Sequence, residues 1–331
     1  MATKVIIRGV GKAGRLFLKH SLDIEDVDVV AIADDAAYGD VDNLVYLLKY
    51  DTVHGVSNHQ ISALNGDLVV DGRKVKVVGY NNIPTPDEYG ASVIIDFTGN
   101  MQYATAQVLV NAGYKVIANN FLSENTIPVI TTTNLSSITS SMNIISTNPD
   151  IESVAQAVQQ INSSFSISNA MLTFIKSATS AMSVDDTFVA SGTYDAGRGC
   201  FENMIVTANN VGKQLGKVIP ALNGKIVGNT IRVPSISGFI AQIDATCDKQ
   251  ATTNDINSSI KEGISSQTLA YCDDPISPTD TRSLFAPAFV SSKTMSINVA
   301  NSSMIRAYVF YHPENVSVEV STEIIRRLAL L

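Results

Sequence analysis

Three glycines near the start of the chain have the spacing of a phosphate-binding loop. They lie in the run Gly-Val-Gly-Lys-Ala-Gly at residues 9–14, which has the pattern GxGxxG. In such a loop the first glycine permits a tight turn, the second lets a diphosphate approach the backbone, and the third lets a helix pack closely on a strand. The diphosphate would lie at the positive end of the helix that follows. The predicted dinucleotide site therefore includes Gly9, Gly11, Lys12, Ala13 and Gly14.

Two carboxylates that follow the loop after about 20 residues indicate which dinucleotide it would bind. Asp34 is placed to accept hydrogen bonds from the hydroxyls of the adenosine ribose, and the neighbouring Asp35 would repel a 2′-phosphate. NAD is therefore predicted over NADP. Arg8 and Lys12 flank the loop, where they either add positive charge near the phosphates or remain solvated surface groups.

The hydrophobic pattern around these residues is that of a βαβ unit, which would hold them in place. Residues 4–8 are a short apolar run of strand type, residues 15–20 have apolar side chains at helical spacing, and residues 27–33 indicate a second buried strand. A GxGxxG pattern alone also occurs in loops that merely need glycine. The order of strand, loop, helix, strand and acid favours a cofactor-binding fold.

Short apolar strands continue along the first half of the chain, at residues 75–78, 92–97 and 114–118. Their alternation with helical segments predicts an α/β fold with a Rossmann-type, doubly wound and mostly parallel sheet. A sheet of this kind binds its ligand at the carboxyl ends of its strands. The residues at those ends, which are further predicted cofactor contacts, are Thr98, Gly99 and Asn119.

The second half of the chain has longer predicted strands and fewer helices. These strands lie at residues 171–175, 230–233, 239–243 and 305–311. The pattern indicates a second domain of the α+β class, and the helical spacing at the end of the chain predicts a helix that packs back onto the first domain. We therefore expect an NAD-binding domain over residues 1–147 with 318–331, and a second domain over residues 148–317.

The composition favours a soluble protein with two sizeable cores. The chain has 331 residues, of which 45% are hydrophobic, and a net charge of −8, which argues against nucleic acid as a partner. No apolar run reaches the roughly 18 residues of a membrane span, and no signal peptide is apparent, so we expect a cytoplasmic protein without a membrane partner. Cys200, Cys247 and Cys272 have neither disulfide nor metal-ligand spacing, which predicts reduced thiols and no metal site.

Six motifs are spread over almost the whole chain. They are GVGKAGR at 9–15, LKYDTVHG at 48–55, Thr98-Gly99, Arg198-Gly199, GKVIPALNGK at 216–225 and RVP at 232–234. Together they resemble the glyceraldehyde-3-phosphate dehydrogenase family, and the run KVIPxLNGK is highly specific to it. The resemblance implies a Rossmann NAD-binding domain, an α+β domain of that family's catalytic type, and a homotetramer.

The resemblance fails at the catalytic positions. In the family a Ser-Cys-Thr-Thr-Asn-Cys motif supplies the cysteine that attacks the aldehyde, and the equivalent position here is Pro149 or Asp150. Neither side chain can form the thiohemiacetal from which hydride leaves to give an acyl-enzyme. The family's histidine base is replaced by Ile175 or Lys176, so the nucleophile and its base are missing together.

Other functional positions of the family differ as well. Its Ser-Thr-Gly motif for inorganic phosphate corresponds to residues 208–210, its asparagine that orients the nicotinamide to Pro313, and its aromatic residue beside the adenine to Met101. Arg232 resembles the arginine that binds the substrate phosphate. The anion site that the resemblance implies consists of Arg232, Arg198, Thr179 and Ser180.

The residues that differ from the family are the catalytic and ligand-binding ones, whereas the hydrophobic pattern of the fold remains. This combination is typical of a duplicated enzyme that kept its fold for another use. The leading hypothesis is a catalytically inactive member of the family, a pseudoenzyme, that binds NAD weakly and has a structural, regulatory or assembly role. Residues 177–206 resemble the S-shaped loop at the family's subunit contacts, which implies a homotetramer or a hetero-oligomer with an active relative. Because the nicotinamide anchor is lost, ADP-ribose should bind about as well as NAD.

The alternative hypothesis is an NAD-dependent oxidoreductase with cysteine-independent chemistry on a phosphorylated substrate. Hydride transfer to or from an alcohol or imine needs no acyl-enzyme, but it needs a proton donor or acceptor. The candidates are Lys176, Asp150, Glu152 and His312, each of which could instead have a surface or capping role. Asp150 in particular lies where a helix cap or first-turn acid is expected. Cys200, close to Arg198, is a third possibility, as a displaced nucleophile.

Overall fold

The computed structural model describes residues 2–123, 126–179, 182–189, 194–264, 269–282, 286, 288–294, 296–297 and 303–331. The chain divides into two compact units. Unit 1 consists of Met1–Pro149 with Ser317–Leu331, and unit 2 of Asp150–Val316. The sequence analysis predicted domain boundaries between residues 147 and 148 and between residues 317 and 318. These lie within two residues of the bounds of the two units.

Unit 1 contains a mixed sheet with helices between its strands. The strands are β1 Thr3–Arg8, β2 Val27–Ala33, β3 Tyr50–Asp51, β4 Gly55–Val56, β5 Ile61–Leu64, β6 Asp67–Val70, β7 Arg73–Val78, β8 Val93–Asp96, β9 Lys115–Ala118 and β10 Ile144–Ser146. The helices are α1 Lys12–Leu22, α2 Asp35–Gly39, α3 Val41–Lys49, α4 Pro86–Tyr89, α5 Tyr103–Asn111 and α6 Thr131–Asn134. In the described residues the sheet has the order β10-β9-β8-β1-β2-β7-β6-β5, while β3 and β4 form a separate pair.

The strands from β10 to β7 are parallel neighbours, and only the edge formed by β7, β6 and β5 is antiparallel. The central strands are covered on both faces, because Ile6 and Ile7 in β1 and Ile94 and Ile95 in β8 are all fully buried. Continuous apolar runs of this kind are typical of parallel sheets between two helix layers. The predicted Rossmann-type architecture is confirmed, and the carboxyl ends of β1, β2, β8, β9 and β10 meet at one edge of the sheet.

Unit 2 is built on a second sheet that is mostly antiparallel. Its strands are β11 Ile167–Ser177, β12 Ile205–Asn209, β13 Ile226–Val233, β14 Phe239–Cys247, β15 Ala270–Cys272, β16 Ala288–Ser291, β17 Ser296–Ile297 and β18 Met304–Tyr311. Its helices are α7 Pro149–Phe165, α8 Val211–Val218 and α9 Thr253–Gly263, and α10 Pro313–Ala329 ends the chain. The described strands follow the order β12-β13-β11-β14-β18-β16-β15, with β17 paired to β18. The predicted α+β class of this unit is confirmed.

The long strands of unit 2 alternate between a buried inner face and an outer face. In β11 the side chains of Leu172 and Phe174 are fully buried, whereas that of Met171 is half exposed. The period of two explains this pattern, since successive side chains of a strand point to opposite faces.

The predicted C-terminal helix contacts the rest of unit 1. In α10, Arg326 forms an ion pair with Asp26, and Ser321 accepts a hydrogen bond of 3.2 Å from the side-chain amide of Asn119. None of the helices in the described part of the chain has the length and apolar character that crossing a bilayer requires.

Candidate functional site

The glycine loop joins β1 to α1, and each of its glycines has a different steric role. Gly9 has φ +89°, and a Cβ there would lie 2.7 Å from Cγ2 of Thr98. A Cβ on Gly14 would lie 2.1 Å from the carbonyl oxygen of Gly9, so this glycine lets α1 pack on the strand. At Gly11, by contrast, no described atom lies within 4 Å of where a Cβ would be. That open space fits the close approach of a diphosphate to the backbone.

The N-terminus of α1 is suited to an anion. Gly11 is its N-cap residue, Lys12 and Ala13 open its first turn, and among the described residues no side chain caps this end and no acid lies in the first turn. The first amides of a helix have no partner within the helix and carry partial positive charge. The predicted residues Lys12 and Ala13 therefore lie where the resemblance implies that phosphates bind.

Asp34 is held beside the glycine loop by hydrogen bonds to both of its carboxylate oxygens. Oδ2 accepts a hydrogen bond of 3.0 Å from the amide of Val10 in the loop. Oδ1 accepts from the amides of Ala36 and Ala37 and so caps α2. The carboxylate thus lies at the end of β2 next to the loop, which is the position that a ribose-binding acid needs.

Tyr80 contacts both predicted acids, although the sequence analysis did not single it out. Its amide donates to Asp35 Oδ1 at 2.8 Å, and its hydroxyl donates to Asp34 Oδ2 at 3.3 Å. Burial, assisted by the charge of Asp34, raises the pKa of Tyr80 to about 12, so the phenol is a donor at neutral pH. The guanidinium of Arg8 lies 4.4 Å from the centre of the Tyr80 ring.

Arg8 has a role that neither sequence interpretation anticipated. Its Nη1 lies 2.6 Å from Oδ1 of Asp96, whose side chain is fully buried at the end of β8. Burial raises the pKa of Asp96, and the hydroxyl of Thr98 also donates to this carboxylate at 2.8 Å. Arg8 is therefore not a solvated surface group, because it neutralises a buried charge at the edge where the parallel strands end.

Polar atoms at the ends of β9 and β10 fit a polar ligand. Asn119 Oδ1, Asn120 Oδ1 and Thr147 Oγ1 are buried and have no hydrogen-bond partner among the described residues. Buried polar atoms in folded proteins nearly always have a partner. Gly99, with φ +71° and open space around it, follows Thr98 at the same edge. Met101 does not line this edge but packs into the core of unit 1 with Ala106, Val116 and Ala118.

These residues of unit 1 fit NAD. The glycine loop and the N-terminus of α1 would hold its diphosphate, Asp34 its adenosine ribose, and Asn119 and Thr147 further polar groups. When bound, NAD would supply a hydride acceptor.

In unit 2, the strand register places the two candidates for the family's base position on opposite faces of the sheet. Lys176 is a direct neighbour of Arg232 in the parallel pairing of β11 with β13. It lies on the buried inner face with Phe174, and only 8% of its surface is exposed. Ile175 points to the outer face, where it pairs with Ile231 and Ile240. Lys176 is therefore the residue at the edge of the unit 2 core.

Lys176 belongs to a group of residues at the end of the inner face, which we call the sheet-edge cluster. Its members are Asp150, Lys176, Arg232, Phe239 and Tyr311. Lys176 Nζ forms an ion pair with Asp150 Oδ2, and the hydroxyl of Tyr311 donates to Asp150 Oδ1 at 2.7 Å. Asp150 thus lies in the first turn of α7, as predicted, and also links that helix to the sheet.

The aromatic ring of Phe239 lies at the centre of the sheet-edge cluster. Its centroid is 5.6 Å from Lys176 Nζ, 5.8 Å from the guanidinium carbon of Arg232 and 5.4 Å from the Tyr311 ring. Burial and the charge of Asp150 raise the pKa of Tyr311 well above its usual value. Burial lowers the pKa of the Arg232 guanidinium. The cluster therefore combines a neutral phenol with one carboxylate and two cations in a largely dehydrated place.

The predicted anion site is only partly assembled. Arg232 donates from Nη1 to the carbonyl oxygen of Ser177 at 2.9 Å, two residues before the half-buried Thr179. Arg198 is largely exposed, and its described ion pair is with Asp186 at 3.1 Å. Ser180 and parts of the predicted subunit-contact segment, residues 177–206, lie outside the described residues.

The cysteines of unit 2 have the surroundings of structural thiols. Cys200, the suggested displaced nucleophile, is 4% exposed, and its amide donates to the carbonyl of Ser183. Burial raises the pKa of Cys247 to about 11 and also raises that of the half-buried Cys272. A thiol attacks as its thiolate, so burial of this kind opposes nucleophilic reactivity.

The two remaining candidates for proton transfer, Glu152 and His312, are both buried. Glu152 is fully buried in α7, and His312 is 1% exposed with its Nδ1 3.1 Å from Oε2 of Glu314. A surface role is therefore wrong for these two residues.

Sequence reasoning missed Tyr311, Phe239, Tyr80 and Asp96 as members of the two sites. Tyr311 and Asp150 are 161 positions apart, and only the strand pairing brings them together. One signal was available in the sequence. In β11 the period of two places Lys176 on the same face as Leu172 and Phe174, where a lysine needs a partner.

Comparison with known proteins agrees with this architecture. The family model described as "Glyceraldehyde 3-phosphate dehydrogenase, NAD binding domain" matches residues 3–104, and that of the C-terminal domain matches residues 150–313. Glyceraldehyde-3-phosphate dehydrogenase of Lactobacillus delbrueckii subsp. bulgaricus is 29% identical over 325 residues, which cover 95% of each chain.

Two further relatives agree. Glyceraldehyde-3-phosphate dehydrogenase 1 of Bacillus cereus is 28% identical over 322 residues, or 94% of each chain. Glyceraldehyde-3-phosphate dehydrogenase of Shimwellia blattae is 28% identical over 289 residues, which cover 85% of this chain and 86% of the relative. The chain therefore belongs to the glyceraldehyde-3-phosphate dehydrogenase family and carries its NAD-binding domain.

Proposed function

We propose that this chain is an NAD-binding pseudoenzyme of the family. It would not catalyse the thiol-dependent oxidation of glyceraldehyde 3-phosphate, and it would act as a structural or regulatory component of an oligomer. The observation that carries the proposal is the Lys176–Asp150 ion pair. Pro149, Asp150 and Lys176 are among the positions that the resemblance assigns to the family's cysteine and histidine, and an ion pair cannot replace a thiolate nucleophile.

The glycine loop supports retained NAD binding, whereas Pro313 supports a weakened contact to the nicotinamide. We therefore expect calorimetric titrations to give NAD and ADP-ribose affinities that agree within about threefold. In parallel, the protein should form no NADH from glyceraldehyde 3-phosphate, NAD and phosphate. Much tighter binding of NAD than of ADP-ribose would assign the nicotinamide contact to atoms such as Asn119 Oδ1. NADH formation that iodoacetamide abolishes would overturn the proposal.

The outer face of the unit 2 sheet supports the oligomeric part of the proposal. It carries two groups of apolar side chains, Met171 with Val227 and Val206 with Ile231, Ile175 and Ile240, on either side of a polar row formed by Thr173, Asn229 and Gln242. Val227 is 63% exposed and Met171 50%. Asp244, the neighbour of Met171 on β14, pairs with Arg306 on the same face. A face that carries both charges together with exposed apolar side chains can be self-complementary, as a two-fold interface requires, and we assign it to a second copy of this chain.

An aspartate at Val227 should therefore dissociate the oligomer, because it would bury an additional carboxylate without a partner in this interface. We expect light scattering to give a multiple of the 35.4 kDa chain mass for the wild type and the monomer mass for Val227→Asp. Val108→Asp is the matched control, since Val108 is 67% exposed on α5 in unit 1. A monomeric wild type would contradict the assignment.

The sheet-edge cluster also favours a second candidate function, an NAD-dependent oxidoreductase acting on a phosphorylated carbonyl or alcohol. Lys176, oriented by Asp150, would donate or accept the proton that accompanies hydride transfer. Oxidation of NADH by a panel of phosphorylated aldehydes, ketones and sugars, lost in Lys176→Ala, would favour this function over the pseudoenzyme.

A further inference from the structure

The sheet-edge cluster contains a buried primary amine, that of Lys176, beside the carboxylate of Asp150. Both residues belong to unit 2, whereas the glycine loop belongs to unit 1. We propose that Lys176 forms an imine with a small aldehyde or ketone that carries an anionic group, with Asp150 as the proton carrier. This site lies entirely within unit 2, and its reaction requires no cofactor. It therefore goes beyond the proposed NAD binding.

Lys176 is a primary amine held between aromatic rings in a largely dehydrated place. Its Nζ lies 5.5 Å from the centre of the Phe174 ring and 5.6 Å from that of Phe239. Its direct neighbour on β13 is a second cation, Arg232. Removal from water and a neighbouring cation are the two conditions that turn a lysine into a nucleophile towards carbonyl groups.

The ion pair with Asp150 lets the reaction proceed without net change of buried charge. The ammonium of Lys176 first passes a proton to the Asp150 carboxylate. The neutral amine then forms a bond to the carbonyl carbon, and a proton moves from nitrogen to oxygen to give a carbinolamine. Asp150 returns its proton to the hydroxyl group, which leaves as water while the nitrogen lone pair forms the C=N bond. One ammonium and one carbonyl become one iminium and one water, and the iminium pairs with the same carboxylate.

The other members of the cluster have distinct roles in this reaction. Tyr311 donates to Asp150 Oδ1 and thereby leaves Oδ2 facing the amine, so it is a positioning residue. Arg232 uses Nη1 for the carbonyl of Ser177. A guanidinium has five N–H donors, and its planar fork matches a phosphate or carboxylate group. Arg232, to which the resemblance already assigns the substrate phosphate, would therefore favour carbonyl compounds that carry an anionic group.

Borohydride trapping tests the proposal on the full chain. Glyceraldehyde 3-phosphate is the probe, sodium borohydride reduces any iminium to a stable secondary amine, and peptide mass spectrometry locates the label. We expect the label on Lys176 of the wild type, and its loss in Lys176→Arg, which keeps the positive charge. Lys225→Arg is the control within unit 2 and should keep the full label. If only exposed lysines of the wild type carry the label and Lys176 is unmodified, the proposal is wrong. The wild-type measurement alone decides this.

A second arm tests the role of Arg232. At equal concentration, glyceraldehyde without its phosphate should label Lys176 about tenfold less, because the charge-assisted hydrogen bonds are lost. In the Arg232→Gln variant, glyceraldehyde 3-phosphate and glyceraldehyde should label Lys176 to the same extent. If both compounds label Lys176 of the wild type equally, the predicted preference for an anionic group is wrong. NAD calorimetry on Lys176→Arg separates this inference from the proposed function, since NAD binding should be unchanged in a variant that has lost the label.

Discussion

Replacing Lys176 with methionine should lower the free energy of unfolding by about 3 kcal/mol, because it leaves a largely buried carboxylate without its cation. The side chains of Lys176 and Asp150 are only 10% and 15% exposed. Methionine has a similar length and fills the same space, so the loss would come from the charge and not from a cavity. Urea denaturation followed by circular dichroism measures the change.

Two control variants make this prediction specific. The double variant Lys176→Met/Asp150→Asn should recover most of the loss, because it removes the unpaired charge and keeps an acceptor for the Tyr311 hydroxyl. Lys261→Met should change the stability by less than about 0.5 kcal/mol, since its ion pair with Asp273 is exposed. If Lys176→Met and Lys261→Met have equal effects, the sheet-edge ion pair contributes no more than a surface pair.

Replacing Gly11 with alanine should abolish most NAD binding while leaving the fold intact. Gly11 has φ −61°, which any residue adopts, and the space around its missing Cβ is open. We therefore expect a stability within about 0.5 kcal/mol of the wild type. The added methyl group would occupy the place where the diphosphate approaches the backbone, so the NAD affinity should fall by about tenfold or more in calorimetry.

Gly14→Ala is the contrasting variant in the same loop. Its Cβ would lie 2.1 Å from the carbonyl oxygen of Gly9, so α1 or the loop would have to move. Such overpacking costs about 1–3 kcal/mol or more, and we expect a lowered thermal midpoint together with lost binding. Unchanged NAD affinity in Gly11→Ala would show that the diphosphate does not lie on this loop.

The architecture could be predicted from the sequence because the patterns that indicate each strand and turn are local. Residues 4–8 and 27–33 are apolar runs, and the structure has β1 at Thr3–Arg8 and β2 at Val27–Ala33. The glycine pattern likewise predicted the loop between β1 and α1. These features depend on the residues within one element or one turn, so a single sequence contains the information.

The contacts inside both sites could not be read in this way because they depend on pairing between distant strands. Arg8 and Asp96 are 88 positions apart, and their ion pair follows from the parallel pairing of β1 with β8. The resemblance implied that Ile175 or Lys176 replaces the family's histidine, yet it gave no partner for the lysine. A family pattern describes only what its members share, whereas the ion pair with Asp150 is a property of this chain.

Under the proposed function, that ion pair would also make the loss of activity hard to reverse in evolution. A cysteine at position 149, one of the two positions at which the resemblance places the family's nucleophile, would supply a thiol without a base, because Lys176 is already paired with Asp150. A histidine at position 176, one of the two positions for the family's base, would remove the ammonium group that pairs with Asp150, and the variant would be less stable before it gained any activity. Each of these single changes would bring no benefit or a loss, so several positions would have to change together. The ion pair would therefore act as an epistatic barrier to the return of thiol chemistry.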